Sequence, residues 1–236
     1  MTIEPIARYR CELTSKFGVP RQAGLVPELR GRIVFLPPYR SADALRGLDG
    51  FDYLWIIWAF SENLTAPGDD NAPAPFRPLV RPPRLGGNEH MGVWATRSSF
   101  RPNGLALSSV RIERIEWESA DGPVIHVLGA DLMDGTPVFD LKPYVTFTDS
   151  HPDARSGFVD DRPKPVLDVT LPDTVAAPPT PLQRQTLVDI LHQDPRPSYH
   201  DDEQRVYGFP FAGYDVRFRV VRSTAEVLAL IPLPQR

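Results

Sequence analysis

Residues 53–60, with the sequence YLWIIWAF, decide the fold. Aromatic and β-branched residues are favoured in strands, and this run is apolar at both odd and even positions. In a strand those positions lie on opposite faces, so both faces would be apolar. Such a strand is normally covered by other parts of the protein on each side. The run therefore predicts a central strand that is covered on both faces, with its aromatic side chains in the core.

Shorter apolar stretches surround this strand in the chain. They are residues 31–36, 92–96, 105–115 and 124–128, and each is bounded by Gly, Pro, Asp or Ser. Those residues supply the dihedral angles that turns need. The pattern predicts a mainly β protein with an antiparallel sheet or barrel. Residues 41–48 predict a short helix capped by Ser41.

Two proline-rich stretches interrupt the regular pattern. Residues 66–83 predict a long exposed loop, and residues 163–181 predict a domain boundary. We therefore expect a β domain over residues 1–160 and a small α+β domain over residues 161–236. In the second domain, apolar residues at helical spacing predict a helix over 181–191, and residues 214–221 and 225–231 predict two strands.

The composition limits the class of protein. A chain of 236 residues that is 42% hydrophobic can bury a core, whereas 27 prolines disfavour long helices. The only cysteine, Cys11, excludes an intramolecular disulfide and is interpreted as a small core or strand residue. Without His and Cys clusters we predict no metal site. Charges throughout residues 1–16 predict neither a signal peptide nor a membrane helix, and hence a cytoplasmic protein.

Positive charge is concentrated in one segment although the net charge is −4. Within residues 77–101, Glu89 is the only acid, and the arginines are Arg77, Arg81, Arg84, Arg97 and Arg101. Such a segment predicts either a local nucleic-acid contact or an ordinary solvated surface. His90 lies in the same segment as a candidate base, or simply as a surface residue.

Common catalytic motifs are absent from the sequence. There is no G-x-G-x-x-G after a strand, no Walker-type phosphate loop, no H-E-x-x-H and no G-x-S-x-G, so a Rossmann-type methyltransferase is disfavoured. Four segments instead combine turn residues with charge: residues 17–25, 81–88, 95–103 and 131–137. Each one could hold a ligand or form an ordinary turn.

Taken in order, these segments resemble one known family. They contain P-R-Q at 20–22, R-P-P-R-L-G-G-N at 81–88, T-R-S-S-F-R-P-N at 96–103 and D-L-M-D-G-T-P at 131–137. P-P-Y at 37–39, L-R-G-L at 45–48, L-K-P-Y at 141–144, D-A at 153–154 and Q-D-P-R-P-S-Y at 193–199 complete the pattern. Together they resemble the TrmO (TsaA/YaeB-like) family, from about residue 16 to the last predicted strand.

The resemblance implies a fold and an activity. The expected fold is a β-barrel of the methyltransferase type, assembled as a homodimer with S-adenosylmethionine held by loops near the subunit interface. The expected reaction is N6-methylation of threonylcarbamoyladenosine next to the anticodon of tRNA.

The resemblance also implies which residues bind the cofactor. Carried over position by position, they are Pro20, Arg21, Gln22, Ser61, Glu62, Arg97, the backbone at Leu107, Leu132, Met133, Asp134 and Gly135. The family commonly has His-Gln where this chain has Ser61-Glu62, and Pro-Ile-Gly where it has residues 104–106. The first departure changes both side chains at two of the expected cofactor positions.

The chemistry of S-adenosylmethionine suggests roles for the charged residues. Arg21 or Arg97 could bind its carboxylate, and Glu62 or Asp134 its ribose hydroxyls. The arginines could instead form structural ion pairs or carbonyl contacts, and Asp134 could simply open an Asp-Gly turn.

RNA contacts are expected from five residues: Arg81, Arg84, Arg101, Arg196 and Tyr199. The general base is not identified from sequence. One rival interpretation is a non-catalytic nucleotide- or RNA-binding adaptor, and another is a hydrolase that uses Asp131 with Asp134, or Asp134 with Asp140.

Overall fold

A computed structural model describes residues 3–60, 76–86, 89–161, 166–173, 175, 180–197, 200 and 202–234. The strands are β1 (Ala7–Cys11), β2 (Arg30–Phe35), β3 (Tyr53–Ala59), β4 (Leu79–Val80), β5 (Met91–Gly92), β6 (Leu105–Glu116), β7 (Val124–Leu128), β8 (Pro137–Pro143), β9 (Asp168–Thr170), β10 (Tyr207–Phe211), β11 (Tyr214–Val221) and β12 (Thr224–Pro232). The helices are α1 (Thr146–Asp149), α2 (Phe158–Asp161) and α3 (Pro181–His192).

Six strands close into a barrel in the order β1-β2-β7-β6-β3-β8. Every neighbouring pair is antiparallel. The mainly β barrel expected from the sequence is therefore confirmed, and β3 lies between β6 and β8. The interior is filled by apolar side chains from all six strands, among them Tyr9, Ile33, Leu54, Ile56, Trp58, Val110, Ile125, Val127 and Val138.

The two faces of β3 have different surroundings. Leu54, Ile56 and Trp58 point into the barrel and are buried. On the outer face Trp55 and Ile57 are only partly buried, and Tyr53 is 44% exposed. Within one chain the outer face of β3 is thus incompletely covered, unlike the prediction from its apolar sequence.

Two local predictions were wrong. Residues 92–96 form the end of the two-residue strand β5 and then a 3-10 turn at Val93–Ala95. Residues 41–48 form 3-10 turns instead of a helix: Ser41 makes no capping hydrogen bond, and Gly47 adopts a φ of +87° that interrupts helical geometry.

A second hydrophobic core lies between α3 and a four-stranded sheet of order β10-β11-β12-β9. The predicted helix is confirmed, and it starts with a capping box in which Thr180 and Gln183 bond to each other's backbone. Leu187, Ile190 and Leu191 of its apolar face are buried.

The segment between β1 and β2 joins the two cores. Its side chains Leu13, Val26 and Leu29 are buried in the second core, although β1 and β2 belong to the barrel. A Cβ atom at Gly18 would lie 2.5 Å from the ring of Phe209, so only glycine allows this approach. The α+β part therefore holds this segment in place, while the boundary between residues 160 and 161 stays a prediction.

Over the residues that the structure describes, no helix is long and apolar enough to cross a membrane.

Candidate functional site

Three loops meet at one end of the barrel. Arg97, in the segment before β6, donates a hydrogen bond to the Gln22 side chain at 2.5 Å. The Gly24 amide donates to the carbonyl of Gly129, after β7, at 2.8 Å. Gln22 and Gly24 belong to the segment between β1 and β2. The predicted cofactor residues Gln22 and Arg97 are therefore in contact, 75 positions apart in sequence.

A hydrogen-bonded chain leads from the barrel interior to this junction. Trp58 Nε1 donates to Ser108 Oγ at 2.9 Å, and Ser108 Oγ donates to Asp131 Oδ1 at 2.6 Å. Trp58 and Ser108 are both 4% exposed. A buried polar chain is stable only when its members are satisfied, so these three side chains fix one another's orientation.

The Asp131 carboxyl is shielded from solvent. Burial raises its pKa above the usual range for aspartate, and this outweighs the opposing effects of the Ser108 hydrogen bond, nearby Arg97 and the Ala23 amide. The carboxyl thus links the barrel interior, the segment after β1 and Arg97. We call Gln22, Arg97, Ser108 and Asp131 the junction cluster.

Sequence reasoning assigned neither Trp58 nor Ser108 to the site, and it gave Asp131 a side-chain role only in the hydrolase alternative, although it placed residues 131–137 among the possible ligand loops. Ser108 offered a signal, since it is a polar residue at an inward position of β6, next to the inward-facing Val110. A buried hydroxyl needs a partner, and that partner is Asp131.

The loop Leu132–Gly135 carries both buried and bonded groups. Leu132 is fully buried in the barrel core. Asp134 accepts hydrogen bonds from the Cys11 amide at 3.0 Å and from Arg10 at 3.4 Å, and Gly135 has a φ of +81°. Asp134 therefore opens a tight turn and attaches it to β1, as in the alternative considered from sequence.

Cys11 lies in the wall of this turn and not at a reactive surface. Its thiol contacts the carbonyls of Leu13 and Leu132 at 3.6 and 3.5 Å. Burial raises the pKa of Cys11 to about 12, so the thiol is protonated at neutral pH and is a poor nucleophile.

Pro20 and Arg21 lie on the side of the segment that faces the second core. Arg21 donates to the Arg196 carbonyl at 2.8 Å, and both predicted residues line a small cavity of about 120 Å³ beside the end of α3. Arg196 forms a two-pronged ion pair with Asp194 at 2.9 and 3.0 Å. The structure thus places Pro20 and Arg21 beside the end of α3, where Arg21 contacts Arg196.

The arginine-rich segment presents aromatic rings to solvent. Trp94 is 66% exposed and stacks on Phe76 with ring centroids 5.8 Å apart. The guanidinium carbon of Arg101 lies 5.3 Å from the centre of the Trp94 ring, and Arg101 also donates to the carbonyl of Thr96 at 2.7 Å. Arg101 therefore supports both the loop and the exposed tryptophan.

The remaining candidates of this segment have separate surroundings. His90 Nε2 accepts a hydrogen bond from Arg81 at 3.1 Å, so that nitrogen is occupied. Arg84 lies close enough to Arg21 to lower its pKa, after the larger effect of burial. Ser61, Glu62 and Tyr199 lie outside the described residues.

The carboxylates proposed for hydrolysis have other partners. Asp131 is bonded to Ser108, Asp134 to β1, and Asp140 accepts from the Leu141 amide at 2.9 Å on the exposed side of β8. Among the described residues, no group of three His, Cys, Asp or Glu side chains is arranged to hold a metal ion.

A closed antiparallel barrel with a loop junction at one end, attached to a smaller α+β unit, defines a two-part β-barrel protein. Two family profiles match it: tRNA-methyltransferase O N-terminal domain over residues 8–150 and TrmO C-terminal domain over residues 166–233. The chain belongs to the tRNA-methyltransferase O family.

Individual relatives match over nearly the whole chain. The Escherichia coli K12 protein named tRNA (adenine(37)-N6)-methyltransferase is 38% identical, over 97% of each chain. A Pseudomonas aeruginosa protein named putative S-adenosylmethionine-dependent methyltransferase RcsF is 37% identical, over 94% of this chain and 93% of its own. A crystal structure of TrmO from Pseudomonas aeruginosa superposes with a TM-score of 0.75 at 30% identity, covering 98% of this chain and 97% of that one.

Proposed function

We propose that this protein transfers a methyl group from S-adenosylmethionine to N6 of threonylcarbamoyladenosine beside the anticodon of tRNA. The Escherichia coli relative is named for N6-methylation of adenine 37 in tRNA, and the Pseudomonas aeruginosa relative for dependence on S-adenosylmethionine. The family resemblance adds that the methylated adenosine is threonylcarbamoyladenosine. The structural observation that carries the proposal is the position of Arg97. It contacts Gln22 within the junction cluster, and it belongs to the arginine-rich segment that also carries the exposed Trp94.

The junction cluster fits part of a sulfonium nucleoside. Arg97 is exposed and offers guanidinium N–H groups to a carboxylate, and the Gln22 side chain beside it offers further polar contacts. Met133, which is partly buried, provides apolar surface next to the turn. When bound there, S-adenosylmethionine supplies the methyl group.

In this arrangement Asp131 is a positioning residue. Its charge lies near Arg97, and its hydrogen bond to Ser108 holds it against the barrel wall. An arginine held near a fixed carboxylate loses less conformational freedom on binding an anion. Methyl transfer depends mainly on orientation, which contributes roughly 7–11 kcal/mol in well-oriented intramolecular reactions.

The arginine-rich segment is proposed to bind RNA. Base–aromatic stacking contributes about 1–3 kcal/mol per base, and Trp94 exposes its ring beside Arg101. Arg81 and Arg84 add positive charge for phosphates. Arg196 is already paired with Asp194, so its contribution to RNA binding would come mainly from stabilising its own loop.

The outer face of β3 supports a homodimer. Leu107 lies opposite Ile57 and is 54% exposed, and Tyr53 is 44% exposed on the same outer face. Exposed apolar patches of this kind commonly mark protein interfaces. A second copy of the chain would cover the outer face of β3, so that both faces would be covered as the sequence predicts. It would also bring a neighbouring subunit close to the predicted cofactor residue Leu107. We place this homodimer in the cytoplasm.

Methyl transfer to RNA separates this proposal from the adaptor. Wild-type protein is incubated with S-adenosylmethionine labelled in its methyl group and with bulk tRNA, and label in the RNA is counted. Incorporation that depends on the protein supports the enzyme. Binding of both ligands without incorporation identifies the adaptor.

A further inference from the structure

A basic cavity lies on the outer wall of the barrel, apart from the junction cluster. It has a volume of about 250 Å³ and is lined by Arg8, Arg10, Arg32 and Arg40, with Asp121 as the acidic residue and Val34 among the apolar ones. We call it the four-arginine pocket. Nothing in the proposed methyl transfer uses it.

Two of these arginines are arranged at an energetic cost. Arg10 on β1 and Arg32 on β2 are directly opposed in the antiparallel register. Directly opposed residues have Cβ atoms only about 4.5–5.5 Å apart, and like charges there destabilise a sheet. An anion bound between the two side chains would attract both guanidinium groups and so offset their mutual repulsion.

The charges in the pocket are only partly compensated. Arg40 pairs with Asp121 at 3.1 Å, and Arg10 makes a long contact of 3.4 Å with Asp134. Arg8 bonds to a neutral group, the Gly135 carbonyl at 3.2 Å. Among the described residues, the structure shows no hydrogen bond or ion pair to the Arg32 side chain. Two positive charges therefore remain without an acidic partner.

The size and charge of the pocket select a class of ligand. Pockets for whole organic ligands usually enclose about 300–1,000 Å³, so this smaller and open cavity suits a compact group. Guanidinium groups bind phosphate oxygens through paired hydrogen bonds. The geometry points to a phosphate-binding site formed by Arg8, Arg10, Arg32 and Arg40, which takes either a small phosphate compound or a phosphate of the RNA backbone.

The variant Arg32→Glu tests this site. It places a carboxylate opposite Arg10, and this carboxylate takes the place of a bound anion. Arg30→Glu is the matched control, because it makes the same change of charge two residues away on β2 and does not line the pocket. Calorimetric titration of each folded protein with inorganic phosphate and with pyrophosphate, at constant ionic strength, measures the affinity. Affinity for unmodified tRNA is measured in parallel.

We expect R32E to lose at least about tenfold in phosphate or tRNA affinity relative to R30E, which corresponds to about 1.4 kcal/mol. Loss of phosphate binding with unchanged tRNA affinity identifies a small phosphate compound. Loss of tRNA affinity, with or without measurable phosphate binding, identifies a backbone phosphate. Equal affinities of R32E and R30E for all three probes would overturn the site. The phosphate titrations do not depend on methyl transfer, so a failure of the proposed enzyme function would be seen separately.

Discussion

Ser108 donates its hydroxyl hydrogen to Asp131 at 2.6 Å and so connects the interior of β6 with the loop that follows β7. The position of the strand could be predicted from its apolar pattern. The position of the loop could not. Asp131 lies near Arg97, on which the proposed cofactor site depends.

Replacing Asp131 should change how stability depends on pH. Since its folded pKa is raised by burial, the carboxyl stabilises the protein most below its unfolded pKa, near 3.8, and that contribution is lost as pH rises through the folded value. Asp131→Asn does not titrate. The free energy of unfolding of D131N minus that of the wild type should therefore increase between acid and neutral pH, as measured by denaturant titrations. A decrease over this range would mean that Arg97 outweighs burial.

Removing the Ser108 hydroxyl should destabilise the barrel. In Ser108→Ala, Trp58 Nε1 loses its acceptor and Asp131 loses a donor, both in a buried position. Leaving buried polar groups unsatisfied costs about 1–3 kcal/mol, measurable as a lower free energy of unfolding. Ser109→Ala, one residue along the same strand, is the control and should change stability by less than about 0.5 kcal/mol. Equal effects of the two substitutions would contradict the buried chain.

Removing the exposed Trp94 ring should weaken RNA binding. We expect Trp94→Ala to lose about 1–3 kcal/mol of tRNA binding free energy, roughly 5–150-fold in affinity, with S-adenosylmethionine affinity unchanged. Trp94→Phe should keep most of the affinity, since it keeps an aromatic face. Trp117→Ala, at another partly exposed tryptophan, controls for general effects. Filter binding measures all three, and unchanged affinity in W94A would remove Trp94 from the RNA surface.

Charge on the outer face of β3 and β6 should separate the subunits. A carboxylate at Leu107 would be buried without a partner in the proposed dimer, which is strongly unfavourable. Sedimentation analysis should therefore find wild type as a dimer and Leu107→Asp as a monomer. Leu228→Asp, at an exposed leucine of β12, should remain dimeric. A dimeric L107D would place the interface elsewhere, and a monomeric wild type would contradict the homodimer.

The opposed arginines of the four-arginine pocket should be measurable in stability alone. In phosphate-free buffer, Arg32→Glu replaces a repulsive cross-strand pair by an attractive one, and opposite-charge pairs contribute roughly 0.2–1 kcal/mol. We expect its free energy of unfolding to rise by about that amount. Arg30→Glu should lower it, because Arg30 pairs with Glu113 at 2.8 Å. A destabilised R32E would show that Arg10 and Arg32 do not repel each other significantly.

The strands that could be predicted are those with a continuous or alternating apolar pattern. β3 and β7 belong to this group. β1 also alternates, but over only five residues inside a segment with charges on both sides, and β8 was missed because proline begins and ends it. A strand bounded by prolines lacks the usual sequence signal, and only the barrel closure that pairs it with β1 and β3 explains it.

The candidate site was predictable only in part. Gln22 and Arg97 could be assigned through motifs that resemble a family, and the structure brings them into contact. The contact itself depends on the second core, which holds the segment before β2 through Gly18 and Leu29. Such long-range packing leaves no local pattern in the sequence, and for the same reason the contact of Arg21 with the Arg196 carbonyl could not be foreseen.

The most direct test of the proposed function is the product nucleoside. Transfer RNA that carries threonylcarbamoyladenosine is incubated with the protein and S-adenosylmethionine, digested to nucleosides and analysed by mass spectrometry. The account predicts that this nucleoside gains the mass of one methylene group, located on the N6 side of the adenine by fragmentation. Unchanged threonylcarbamoyladenosine, with the protein folded and both substrates present, would contradict it.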